Sequence, residues 1–371
     1  MLKRFSVDWV LLGAALFIVF LGLLTMYSCS GDAYFFERQL VWVGAGLLVF
    51  FTASAIDWHF LRRGGLLVFL YLSALGLLFL LYIAGSTIRG AQSWFDLGGF
   101  SLQPADLLKL LLVLVLAKYF SRRHIEIAHT KHIVISGLYA LIPFVLILLQ
   151  PDFGLALIVF LIWLGIALVA GISKKHLGMI LGVSLLGVLS LWFFIFTPIQ
   201  QARITSFLNP LADIQGAGYN AFQAMVAVGS GEWFGKGVCY GTQSRLLFLP
   251  EYQTDFIFAA FAEEWGLAGV LLLITLFGVL FMRILQAAYV GETNFETLFA
   301  IGLLILLLAH TSIHIGMNIG LLPVTGLPLP FMSYGGSHLI IEFLGIGILS
   351  SMRRYERATH RDGIRQEFLG L

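Results

Sequence analysis

The sequence predicts an all-α polytopic membrane protein of about ten transmembrane helices. Both termini are predicted cytoplasmic, with a large extracytoplasmic loop between helices seven and eight. Three observations carry this. Of 371 residues, 59% are hydrophobic and only 11% charged, and the mean hydropathy is +0.94. A soluble domain carries about 25% charged residues, and no soluble core of this size could hide so much apolar surface. The apolar residues fall in continuous runs and do not alternate, which favours helices over a barrel. The basic residues, finally, are segregated by side.

In chain order, runs near the roughly 20 apolar residues that a bilayer-spanning helix needs fall at about 8–28, 39–56, 65–84, 104–120, 133–149, 153–171, 177–198, 256–282, 294–319 and 336–352. The first is too long for a signal-peptide core and lacks an Ala-x-Ala end, so it is expected to be retained. With the N-terminus inside, sixteen of the 22 Lys and Arg residues fall on the inner side, ending in a tail at about 353–371. Five fall outside, Arg38, Arg89, Arg203, Lys236 and Arg245, and Lys109 lies within a helix. That bias sets the orientation.

The outer loop, about 199–255, is rich in Gly, Asn, Gln, Ser and Pro and lacks a repeating apolar pattern. A connection this long is functional or disordered. Phe207, Tyr219, Phe222, Trp233, Tyr240 and Phe248 give it more large apolar groups than disordered segments usually contain, so it reads as a folded loop that carries chemistry. Two further outer segments, Gly85 to Pro104 with Arg89, Gln92, Trp94 and Asp96, and Leu321 to Ser337 with no charge, are placed to converge on it. No nucleotide-binding glycine loop and no internal repeat occurs, and nothing points to nucleic acid. Two cysteines exclude a disulfide framework or a four-thiolate metal site. Cys29 and Cys239 are both predicted outside, where a bond is permitted, but the sequence does not set their separation.

Asp255 stands at the outer mouth of the eighth run, where Thr254 or Asp255 can cap the helix and the carboxylate can also be a reacting group, the two roles not being exclusive. Glu263 and Glu264 follow; on a continuous helix Glu263 lies roughly 12 Å deeper and Glu264 faces the opposite side. Adjacent carboxylates in an apolar run are expensive, so at least one is expected to face a polar cavity. Asp106 and Lys109, three apart, share a helix face and can pair. Asp152 reads as a cap of the sixth run. Glu342 has no evident basic neighbour and reads as protonated or turned into the bundle. His310 and His314, four apart, have a metal-ligand spacing without an HExxH setting, and hydrogen bonding between helices is the better reading.

Several segments together resemble the SEDS family (shape, elongation, division and sporulation), the RodA and FtsW proteins of bacterial cell-wall synthesis. They are Gly90-Ala91-Gln92-Ser93-Trp94, Gln103-Pro104-Ala105-Asp106-Leu107-Leu108-Lys109-Leu110, Gln150-Pro151-Asp152, Arg203-Ile204 with Phe207-Leu208-Asn209-Pro210, and Gly229-Ser230-Gly231 through Gly235-Lys236-Gly237. Then come Gly241-Thr242-Gln243, Phe248-Leu249-Pro250-Glu251, Thr254-Asp255-Phe256 and Leu329-Pro330-Phe331-Met332-Ser333-Tyr334-Gly335-Gly336-Ser337. The matches run in order through most of the chain. The short termini and Phe5-Ser6-Val7-Asp8-Trp9 look more like RodA. Asp106 stands where the family usually has Glu, Asn220 where Gln is frequent, and Glu232 where Gly is usual.

The resemblance implies one SEDS-type transmembrane domain over 1–371 in the bacterial cytoplasmic membrane. It implies a peptidoglycan glycosyltransferase that polymerises lipid II, the undecaprenyl-diphosphate-linked disaccharide peptide, at the outer membrane face during elongation. On this reading Asp255 is catalytic, Arg203, Lys236, Gln243, Arg245 and Ser333 bind substrate, and Asp106, Lys109, Asp152 and Glu263 support the site. No nucleotide cofactor is needed, whereas a divalent cation, Mg or Mn, is left open. The implied partners are a class B penicillin-binding protein and other elongation-complex membrane proteins. A lipid II flippase, which would use Asp106, Lys109 and Glu342 along a route through the membrane, an FtsW-like division polymerase, and a scaffold that only recruits a transpeptidase are the competing readings.

Overall fold

The computed structural model describes residues 7–29, 34–63, 65–85, 94–96, 101–122, 130–194, 196–208, 216, 218–246 and 248–369. Within these, the side chains of Cys29, Arg63, Ala84, Asp96, Ile199, Arg203 and residues 353–369 lie outside the description. The chain runs α1 (Trp9–Cys29), α2 (Tyr34–Ala55), the single turn α3 (Phe60–Arg63) and α4 (Leu66–Ala84). A two-stranded antiparallel ribbon, β1 (Phe95–Asp96) and β2 (Ser101–Leu102), pairs Phe95 with Leu102 and Asp96 with Ser101. Then follow α5 (Pro104–Ser121), α6 (Thr130–Leu149), α7 (Phe153–Ala170), α8 (Lys174–Phe194), α9 (Pro198–Leu208), α10 (Tyr219–Ser230) and α11 (Thr242–Arg245). The last three are α12 (Ile257–Val290), α13 (Asn294–Asn318) and α14 (Gly336–Leu369).

Helix is what a bilayer demands of these runs, because backbone N–H and C=O groups must pair within the segment. Eight helices, α1, α2, α4, α6, α7, α8, α12 and α13, are long and apolar enough to cross a membrane. The two remaining predicted runs also form helices. α5 has 18 residues but carries Asp106, Lys109 and Lys118, and α14 is apolar only over Gly336–Met352. The protein is thus an all-α multi-pass membrane protein. α5 is its axis, with one face after another buried against α4, α7 and α13. α8 lies at the periphery, with only Ile180 and Leu191 buried among its residues.

The bundle has two dissimilar ends. At one, Arg283 forks onto both carboxylate oxygens of Asp8 and His59 reaches Glu296 at 3.0 Å. The other end gathers the start of α5, the start of α7, residues 218–246 and 248–256, and the 319–336 connection. Two expectations need correction there. The 199–255 segment is not a loop throughout, since α9, α10 and α11 form within it. Of the Gly85 to Pro104 segment, Arg89 and Gln92 lie outside the described residues.

The second correction concerns the eighth run. It extends to Val290 and is broken at Gly266, with φ 62° and ψ −164°. Periodicity missed the break because apolar residues continue on both sides of it. The 231–237 segment fills the gap. Lys236 N and Gly237 N donate to the carbonyls of Glu263 and Glu264, both at 3.0 Å, closing the short N-terminal piece. Leu267 N and Ala268 N donate to the carbonyls of Glu232 and Trp233, at 2.9 and 3.0 Å, opening the long piece. Two carbonyls and two N–H groups left by the break thereby find partners, as a gap in a membrane helix requires. The approach is so close that a Cβ on Gly235, itself at φ 78°, would stand 2.0 Å from the Glu264 oxygen.

Glu232, the residue that stands where the resembled pattern has Gly, has φ 48°. A left-handed conformation costs a non-glycine residue about 1–2 kcal/mol, partly offset by the smaller unfolded-state entropy of the bulkier residue. Glu232→Gly is therefore expected to be neutral or stabilising within about 1 kcal/mol, and β-branched Glu232→Val clearly destabilising, read as thermal midpoints in detergent. Equal losses in both would show that the carboxylate, not the backbone, matters.

Candidate active site at the head of α12

Asp255 immediately precedes α12 and is half-buried. Its backbone is fastened from three directions. Asn318 Nδ2, at the end of α13, donates to the Asp255 carbonyl at 3.1 Å. Ser333 Oγ donates to the Thr254 carbonyl at 2.8 Å, and Tyr334 N to the Gln253 carbonyl at 2.8 Å. From the third side, Ala224 and Ala227 of α10 pack on Tyr252, Phe256 and Ala260 in a small apolar cluster. α12 is capped at Phe256, with no side-chain cap bond, so the capping reading of Asp255 does not hold. Gly326, at φ 71°, passes the carboxylate closely enough that a Cβ there would lie 3.6 Å from Oδ2. The start of α7 joins the same surface, because a Cβ on Gly154 would meet the Thr325 carbonyl at 2.9 Å. Asp152 caps α7 by accepting from Leu155 N at 3.0 Å.

Glu263 and Glu264 end the short N-terminal piece of α12, where a negative charge opposes the helix dipole. Donors from the neighbouring segment overcome this. Glu263, wholly buried, accepts from the backbone N–H groups of Thr242, Gln243 and Ser244 at 2.8, 3.0 and 3.2 Å. Lys236 Nζ adds an ion pair at 2.8 Å. Glu264 accepts from Ser28 Oγ of α1 and from Cys239 N at 3.1 Å. The expected polar cavity is thus replaced by a collar of loop donors. The two carboxylates organise the 236–245 segment from below. Cys239 carries a free thiol, and the Cys29 side chain lies outside the described residues.

A buried polar chain lies beneath the 329–338 turn. Lys109 Nζ pairs with Asp106 Oδ1 at 2.9 Å, both side chains 2% exposed, and also donates to His310 Nε2 at 3.0 Å. His338 Nδ1 approaches the same Asp106 oxygen at 3.3 Å, while its Nε2 lies 2.8 Å from Glu342 Oε1, an ion-pair distance without hydrogen-bond alignment. Glu342 Oε2 accepts from Phe331 N at 2.8 Å, holding Phe331 at φ 60°. The chain encloses a cavity of about 20 Å³, room for about one water. His314 Nδ1 donates to the Leu327 carbonyl at 2.7 Å. Both histidines of the four-residue spacing therefore serve hydrogen bonds between segments. Glu342 is not without a basic neighbour, as His338 sits one turn before it.

Of the predicted site residues, Ser333 joins the Asp255 segment, and Lys236 and Gln243 converge on Glu263. Lys236 spends its ammonium there and on Thr242 Oγ1. Arg245 is exposed and donates to the Cys239 carbonyl at 3.1 Å. The Arg203 side chain lies outside the described residues. Sequence reasoning passed over Asn318, His338 and Gln39; buried Gln39 clasps Ser333 O and Gly335 N. A polar residue inside an apolar run was the signal available for all three.

The family model described as "Cell cycle protein", covering FtsW, RodA and SpoVE, matches residues 4–358. The chain is 36% identical over 365 residues to "Peptidoglycan glycosyltransferase MrdB" of Escherichia coli, covering 97% of this chain and 96% of that one. It is also 36% identical over 368 residues to "Probable peptidoglycan glycosyltransferase FtsW" of Thioalkalivibrio, covering 96% and 91%. A solved chain from "Structural coordination of polymerization and crosslinking by a peptidoglycan synthase complex" is similar at a TM-score of 0.82 and 32% identity, covering 95% of this chain and 98% of that one.

Proposed function

The chain belongs to the FtsW, RodA and SpoVE family of cell cycle proteins, and on that footing we propose that it is a peptidoglycan glycosyltransferase of the bacterial inner membrane that polymerises lipid II. The observation that carries the mechanism is the Asp255 carboxylate, whose backbone is fixed by Asn318, by the 333–334 turn and by α10. The end of the bundle bearing it faces outward on the basic-residue bias, and there the sugars of lipid II are presented. The 4-hydroxyl of the acceptor GlcNAc attacks the anomeric carbon of the donor MurNAc. A C–O bond forms, the bond to the diphosphate breaks, and undecaprenyl diphosphate leaves with the electron pair. Asp255 takes the hydroxyl proton as general base.

The departing diphosphate needs cationic stabilisation. Arg245, exposed beside the Glu263 collar, and Arg203 are assigned to it. Lys236 and Lys109 are already committed to Glu263 and Asp106 and act by positioning. Gln243 and Ser333 shape the substrate face; Asp106, Asp152 and Glu263 brace it. No group of three His, Cys, Asp or Glu side chains is gathered as a metal site among the described residues. A Mg or Mn requirement is accordingly expected to enter with the diphosphate, so EDTA should slow turnover without lowering the thermal midpoint of the substrate-free protein. A lowered midpoint would indicate a resident ion.

A flippase would put the Gly266 break to use as a passage, but the 231–237 segment fills that break. A class B penicillin-binding protein is the proposed partner, by likeness to the solved synthase complex. The elongation role rests on the resemblance in the first residues, because the identities to MrdB and FtsW are equal. The deciding experiment is polymerisation of purified lipid II by the purified protein, with and without a co-expressed transpeptidase. Glycan chains in either arm support the reading; lipid II crossing vesicles without any polymer would overturn it.

A further inference from the structure

At the end of the bundle remote from Asp255 lies a cavity of about 300 Å³, within the size range of ligand sites, whose lining includes Arg62, Lys118, Arg122 and Glu292. Among the described residues, three cations thus line one open cavity with one carboxylate, Arg122 being exposed. Lys118 Nζ donates to the Leu61 carbonyl at 2.8 Å and Arg122 to the Arg62 carbonyl. These bonds hold both side chains against α3. Arg62 is half-buried, and among the described residues its guanidinium has no hydrogen-bond or ion-pair partner. Glu292 is exposed. Like charges held this way repel one another unless an anion sits between them.

The position of the cavity says which anion. α5 ends at Ser121 and α13 begins at Asn294, and the ends of both helices, with Glu292 and Thr293 of the connection that follows α12, line the cavity. Ends of spanning helices lie at the level of lipid headgroups, where the available anion is a phosphodiester. Guanidinium groups match phosphate oxygens in geometry as well as charge, and basic pockets between membrane helices are suited to such groups. The first turn of α13 adds the positive end of its dipole.

We propose that this cavity binds the headgroup phosphate of an anionic phospholipid, held by Arg62 and Arg122 with Lys118 beside them. The site is separate from the glycosyl-transfer machinery and does not depend on how that machinery works. The test uses the full-length protein in phosphatidylcholine vesicles, with phosphatidylglycerol titrated in and lipid retention read by native mass spectrometry alongside the thermal midpoint. Arg62→Gln should weaken the response to phosphatidylglycerol about fivefold, as expected for one surface cation, and Glu292→Gln should strengthen it. Neither should move the midpoint in pure phosphatidylcholine, since the Arg62 guanidinium has no partner among the described residues and Glu292 is exposed. The same titrations with inorganic phosphate separate the two sources of the group. Equal responses of wild type and both variants would overturn the proposal, as would saturation by inorganic phosphate with no response to lipid.

Discussion

Asp255→Asn is expected to give a folded, membrane-inserted protein that polymerises lipid II about 10²–10⁴-fold more slowly, the usual loss on removing a general base. Asn has nearly the same shape and keeps the main-chain carbonyl to which Asn318 donates. The neighbouring anchors at Gln253 and Thr254 are also carbonyls of the backbone, so none depends on the carboxylate. α12 starts from Phe256 without a side-chain cap, so the substitution costs the helix little. What Asn cannot do is accept the hydroxyl proton. Measured together, glycan product on a gel should fall while the thermal midpoint holds. A near wild-type rate would remove Asp255 from the chemistry, and a collapse of the midpoint would move it to a structural role.

The helices were legible in the sequence because one rule governs them: apolar length at bilayer scale, read directly from composition. All ten predicted runs lie on helices for that reason. The Asp106–Lys109 pair was legible too, because helical spacing alone brings the two side chains together. The interior of the outer segment was not. α10 and α11 are fixed by tertiary bonds, the first by packing Ala224 and Ala227 on α12, the second by the Glu263 carboxylate gathering N–H groups from Thr242 to Ser244. No local pattern announces either. The break at Gly266 was hidden for a related reason, since it is stabilised by the carbonyls of Glu232 and Trp233, each 35 positions before the N–H that donates to it. Glu263 and Glu264 were the visible trace of it. Their cost in a continuous helix is evident from the sequence, but its resolution, an inserted loop in place of a cavity, depends on segments that only the fold brings together.

The largest stability effect is expected from Lys109→Met. Lys109 is 2% exposed and bonds at once to Asp106 and His310, so the change leaves a buried carboxylate without its nearest cation. Breaking a buried pair from one side costs roughly 3–5 kcal/mol. Here His338, at 3.3 Å from the same Asp106 oxygen, remains to share the charge, which places the loss toward the lower end of that range. The double variant Asp106→Asn with Lys109→Met removes both charges together and should recover part of the stability, the coupling expected of residues in one network. Activity should follow a different course. The His338–Glu342 arm holds Phe331 N, and the turn it shapes carries Ser333 onto Thr254, one residue before Asp255. If Lys109→Met lets His338 shift toward Asp106, the turn loosens, and polymerisation should fall even at temperatures where the protein stays folded. Thermal midpoints and polymerisation rates for the two single variants and the double variant test both parts. A fully active Lys109→Met protein with an unchanged midpoint would show that the pair merely makes two charges tolerable in the membrane and does not brace the site above it.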